Sequence, residues 1–126
     1  MLAFMDRSAE LEELLQSMRG KIAQHRGVAT CLGFGPRFLH STGQAHKGGP
    51  NTGVFFQFTH ETETDLEIPG HGFSFGVAKA AQAQGDFEVL VERERRLLRV
   101  HFTGKLVAGL QRIDGLIGRA LQGLDA

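Results

Sequence analysis

The chain has no tryptophan, no tyrosine, a single cysteine and no net charge. Each shortage removes a class of function. Fourteen basic residues cancel fourteen acidic ones, so no global field draws the chain to nucleic acid, an anionic membrane or a highly charged partner. With Cys31 alone there is neither a disulfide framework nor a set of thiolate metal ligands, which suits a reducing cytoplasm. No apolar run reaches membrane-spanning length, and no leader-like pattern opens the sequence, so the expectation is a cytoplasmic protein without membrane contact. Aromatic surface comes from ten phenylalanines; Phe55, Phe56 and Phe58 stand together without interleaved basic residues and read as core, not as base-stacking platforms.

What is present fits one domain, because 126 residues bury a sizeable core but leave no room for a second full domain. MLAFM at the start reads as a first buried strand, residues 2 to 5. Asp6 or Ser8 can cap a helix over 8 to 24, in which Leu11, Leu14, Leu15, Met18 and Ile22 recur at helical spacing and Gly27 supplies a stop. Val28 to Phe34 reads as a second strand and VFFQFT, residues 54 to 59, as a central third one covered on both faces. Glu61, Glu63, Asp65 and Glu67 then suit a solvated loop. Ser74 can cap a helix over 74 to 94 with Val77, Ala80, Ala83, Phe87, Leu90 and Val91 on one face and Gly85 as a possible interruption. The run Arg93 to Arg96 reads as a solvated helix end. LRVHF, residues 98 to 102, is a fourth strand, and Thr103 can cap a last helix over 104 to 122. Alternation of strand and helix predicts an α/β three-layer sandwich with a mainly parallel four-stranded sheet.

The functional argument rests on the loop GFGPRFLHSTGQAHKGGPNTG, from Gly33 to Gly53, which holds six glycines and two prolines around Arg37, His40, Ser41, Thr42, Gln44, His46 and Lys47. Long irregular segments in compact domains are usually functional or disordered, so this composition fits either a ligand loop or an irregular structural connection. As a ligand loop it suits an anionic, polyhydroxylated molecule such as a sugar phosphate. Arg37 and Lys47 would supply charge, Ser41, Thr42 and backbone N–H groups would donate, and Gly43, Gly48 and Gly49 would let the backbone curve around the anion. Gln44, His40 and His46 would face the hydroxyls. Read as an exposed loop cation, Lys47 could be replaced by Ala with loss of binding but not of stability. A metal site built from His40, His46 and His60 has no ligand motif of fixed spacing behind it.

The run GPRFLHSTGQAHKGGPNTG, followed by FFQFT, IPG, AQAQGD and RVHF, resembles the carboxy-terminal, glucose-6-phosphate isomerase part of the bifunctional transaldolase/phosphoglucose isomerases. The resemblance runs from MLAF through RVHF, with the HSTGQ–HKGGP core as its most specific part. It implies the sugar isomerase (SIS) fold, an aldose–ketose isomerisation of glucose 6-phosphate and fructose 6-phosphate through an enediol, and no metal or other cofactor. The Thr42-Gly43-Gln44 step is similar to the Asn-Gly-Gln step of ordinary phosphoglucose isomerases. Where those enzymes carry their catalytic glutamate, this chain has Phe38 and Leu39, and no Asp or Glu occurs between Gly27 and His60.

Two readings follow. In one the chain is an isomerase subunit, completed by a homodimer or by a complex with the missing sugar isomerase/transaldolase portion, with His46 or His40 in acid/base roles. In the other it is a phosphosugar-binding or structural and oligomerisation module without turnover.

Overall fold

The computed structural model describes residues 1–124. Strands β1 (Leu2–Phe4), β2 (Gly33–Phe34), β3 (Val54–His60) and β4 (Arg96–Phe102) form one parallel sheet in the order β2-β1-β3-β4. Helices α1 (Ala9–Arg26) and α4 (Leu106–Leu124) cover one face. Helix α3 (Phe75–Glu92), with a 3₁₀ turn (Arg37–His40) and the short α2 (Gly43–Gly48), lies on the other. The result is a three-layer α/β sandwich.

Side-chain alternation explains the layering. Ala3 of β1 and Met5 just beyond it meet Leu11, Leu15 and Met18 of α1 and Leu110 of α4, while Leu2 and Phe4 face Ala83 and Leu90 of α3. Phe58 is wholly buried in the central strand β3, a burial that stabilises by about 2 to 3 kcal/mol. Ser8 and Ser74 each accept a bond from the backbone N–H three residues on, and Gly27 ends α1 at φ 61°, where a side chain would be strained. Lys21 and Asp114 join α1 to α4 at 2.6 Å.

Four expectations need correction. The second strand is two residues, not seven: β1 offers only a short partner, Val28 and Cys31 are exposed, and Thr30 is held outside the sheet by Arg19, Nη1 to Oγ1 3.0 Å. The fourth strand begins at Arg96, because β4 pairs along the whole of β3. Helix α3 passes through Gly85 uninterrupted, and its buried face is Ala83, Asp86 and Leu90, leaving Val77 and Val91 more than half exposed. Helix α4 starts at Leu106, three residues past Thr103.

The chain moves outward from β1 to β2, then crosses to the far side of β1 to form β3. That reversal puts a switch point at the carboxyl ends of β1 and β3, where open parallel sheets gather ligands.

Candidate functional site

The glycine-rich loop is not irregular; it is built as two halves with different surroundings. Phe38, 5 % exposed, anchors the first half, its ring meeting that of Phe4 edge-on at 5.2 Å between centroids. Around it the chain closes the 3₁₀ turn, and the Ser41 N–H donates to the Phe38 carbonyl at 3.0 Å. Gly35 is required beneath this turn, since a Cβ there would stand 2.7 Å from the rings of Phe38 and Phe4.

With Phe38 turned inward, the exposed Arg37, Ser41 and Thr42 line a cleft of about 510 Å³ beside β2. Arg7, Glu12 and Gln16 form its opposite wall. Arg7 follows β1 and grips Glu12 with two bonds, Nε to Oε2 2.9 Å and Nη2 to Oε1 2.8 Å, with its guanidinium 5.6 Å from the centre of the Phe34 ring. The hydrogen bond from Arg7 holds the Glu12 carboxyl below the ordinary carboxylate range. The cleft thus combines two arginines, two hydroxyls and a fixed carboxylate. Such a set can bind an anionic hydroxylated molecule, with Arg37 as the arginine of the cleft that has no ion-pair partner among the described residues.

The second half of the loop has a structural role. Lys47 reaches inward to Asp86 of α3, Nζ to Oδ1 3.0 Å, with the lysine side chain 21 % and the aspartate 1 % exposed. It is therefore not the exposed loop cation expected from sequence. His46 lies between the rings of Phe38 and Phe55, at 6.2 and 5.2 Å, and burial lowers its pKa against the partial opposition of the Asp86 charge. A neutral imidazole packed between aromatics is poorly placed for acid/base work on a ligand in the Arg37 cleft. Gly49 is needed because a Cβ there would meet the Ala45 carbonyl oxygen at 2.5 Å, whereas Gly48 faces open space and Gly43 is buried at the start of α2. Gly43 and Gly49 therefore serve the turn and its packing, and Gly48 has no such role.

Arginines expected to be a solvated helix end clamp this half. Arg95 Nη2 donates to the carbonyls of Lys47 and Gly49, both at 2.7 Å, and Arg96 donates to those of Asn51 and Gly53 at 2.8 and 3.2 Å. A glycine-rich run exposes carbonyls that need donors, and these two side chains supply them.

No family model matches the sequence, and no curated protein matches it significantly. The fold has a solved counterpart. It is similar to a hypothetical protein from Thermus thermophilus, with a TM-score of 0.62 and 20 % identity over 79 % of this chain. The chain spans only 29 % of that protein's length. At this identity the likeness is one of fold.

Of the residues singled out in sequence, the structure brings Arg37, Ser41 and Thr42 into one cleft. His40 and Gln44 are exposed outside it, and His46 and Lys47 turn towards the sheet and α3. Arg7, Glu12 and Gln16 went unread because they stand on the far side of a turn and helix that only the fold brings back to the loop. The Arg7–Glu12 spacing was the one local signal. Among the described residues no group of three or more His, Cys, Asp or Glu side chains could hold a metal ion, and His40, His46 and His60 do not gather into one.

Proposed function

We propose that the chain is a phosphosugar-binding domain related to the glucose 6-phosphate isomerases and incomplete for turnover on its own. One observation carries this: Arg37, Ser41 and Thr42, from the segment that resembles those enzymes, line a single cleft. A phosphate would sit against Arg37 and the two hydroxyls, with Gln16 within the same cleft for a sugar hydroxyl. Isomerisation also needs a base near the carbon that loses its proton. Glu12 is the carboxylate lining the cleft, and Arg7 engages both its oxygens, which makes it a weak base. A catalytic group therefore has to come from a second copy or from a cytoplasmic chain carrying the missing sugar isomerase or transaldolase portion. Leu66, Phe73, Phe75 and Val77 are between 44 % and 68 % exposed and give such a partner apolar surface to cover.

The reading is tested by thermal shift with glucose 6-phosphate, fructose 6-phosphate, 6-phosphogluconate and inorganic phosphate, alongside a coupled isomerase assay. Stabilisation by the sugar phosphates that Arg37→Ala removes, with little turnover, is the expected result. No shift with any of them would refute it. A second reading, a structural or oligomerisation module without ligand, is favoured by the inward, load-sharing positions of His46 and Lys47. It predicts no shift together with a stable dimer.

A further inference from the structure

A second cleft, of about 380 Å³, opens on the α3 side of the sheet at the carboxyl ends of β3 and β4. Its volume is in the range of sites for small organic molecules. Strand register builds the floor: Thr59 and His101 are partners across β3 and β4, and the Thr59 hydroxyl meets Nδ1 of His101 at 2.8 Å. Phe4 and Ala83 provide an apolar wall.

Two cations and two carboxylates line this cleft, and the cations make their hydrogen bonds to neutral groups. Lys79 donates to the Thr62 hydroxyl at 3.3 Å, and Arg99 donates to the Gln84 side-chain carbonyl while lying 5.2 Å from the centre of the Phe87 ring. Both partners are neutral, and among the described residues neither cation is ion-paired. Of the two carboxylates, Asp65 accepts hydrogen bonds from Ser74 Oγ at 2.5 Å and from the Gly76 and Leu66 N–H groups at 2.8 and 2.9 Å, its charge acting on Lys79 without a direct ion pair, and Glu61 is exposed.

From the cavity, its paired Thr59 and His101 and its two cations, hydrogen-bonded to neutral groups and free of direct ion pairs among the described residues, we infer that this cleft binds a small organic anion. The charged head meets Lys79 and Arg99, and a hydroxyl or carbonyl of the ligand meets Thr59 and His101. The site is separate from the Arg37 cleft and stands whether or not that cleft binds a phosphosugar.

The test titrates the whole chain with inorganic phosphate and, separately, acetate, following backbone amide shifts by NMR and affinity by calorimetry. Shifts at residues 59 to 62 and 76 to 80 are expected. Lys79→Met and Arg99→Met, which keep the apolar stems, should each weaken binding by roughly tenfold, the loss expected for one charge-assisted bond. Arg37→Met should leave these shifts unchanged, and Thr59→Val, which retains the side-chain shape, serves as a variant that spares the cations. A response to phosphate alone assigns a phosphorylated ligand and one to acetate alone a carboxylate; either supports the inference. Shifts confined to Arg37, Ser41 and Thr42 and lost in Arg37→Met would overturn it while leaving the phosphosugar reading intact. Absence of saturable binding by either anion in this cleft would overturn it as well.

Discussion

Replacing Lys47 by Ala should destabilise the protein, because it strands a buried charge. The Asp86 side chain is 1 % exposed on α3, and its Oδ2 has no hydrogen-bond partner among the described residues, so the ammonium of Lys47 at 3.0 Å from Oδ1 is its compensation. Removing one member of a fully buried pair costs about 3 to 5 kcal/mol. Lys47 is itself 21 % exposed, so water recovers part of that loss and about 2 kcal/mol remains. For a domain of this size that corresponds to a fall in Tm of roughly 8 °C. An exposed loop lysine would cost under about 0.5 kcal/mol, so the two cases separate clearly. The assay is a urea and thermal denaturation cycle of wild type, Lys47→Ala, Asp86→Asn and the double variant, with a coupling energy of about 1 to 3 kcal/mol expected. The double variant Lys47→Met, Asp86→Leu should recover most of the loss, since an apolar pair of similar volume needs no compensation. A Lys47→Ala protein melting within about 1 °C of wild type, with no coupling to Asp86, would refute the reasoning.

Three further outcomes follow from the same half of the loop. Arg95→Met removes two bonds of 2.7 Å to the carbonyls of Lys47 and Gly49, so stability should fall by about 1 to 3 kcal/mol and amide exchange should quicken over residues 47 to 53. Gly49→Ala should cost about 1 to 3 kcal/mol, because its Cβ would press on the Ala45 carbonyl oxygen at 2.5 Å, while Gly48→Ala, facing open space in α2, should be neutral or slightly stabilising; equal effects in urea melts would contradict the packing. Burial lowers the folded-state pKa of His46, so the unfolded chain takes up the proton more readily; stability is complete above the ordinary imidazole value of about 6.5 and is lost as pH falls through it. Wild type should therefore lose more stability between about pH 7.5 and 5.5 than His46→Phe, which keeps a ring between Phe38 and Phe55 but cannot titrate.

Strand and helix alternation was legible because it is written in local patterns: β-branched and aromatic runs, serine caps at Ser8 and Ser74, and the glycine stop at Gly27. The loop was legible as unusual but not as to which residues would face a ligand. That depends on Phe38, which looks like any apolar loop residue until the fold places Phe4 beneath it. Lys47 was misread for a similar reason. Its partner Asp86 is 39 positions away and occupies the buried stripe of α3, where periodicity alone favours an apolar residue. The face chosen from apolar spacing was accordingly rotated, and Val77 and Val91 are exposed instead. Arg95 and Arg96 carried no local hint of their roles, since a charge run at a helix end is solvated unless distant carbonyls come within reach.

Phe38 and the arginine clamp together explain how a glycine-rich segment can present side chains without a large ordering penalty. A free loop would lose about 1 to 2 kcal/mol of backbone entropy for every residue that a ligand fixed. Here Arg95, Arg96 and Asp86 hold the second half against α3 and β4, and Phe38 holds the first against Phe4. Folding has therefore already ordered most of the segment; Ser41 and Thr42 stand on the short stretch between the two anchors, and Arg37 adjoins the first. An anion entering their cleft, as proposed, would need to fix little more than the Arg37 side chain, the condition under which a few charge-assisted bonds suffice for affinity. Residues that never touch the ligand would then govern how well it binds. Loosening Arg95 or Lys47 would then act on the cleft through the entropy of the loop, not through any contact within it.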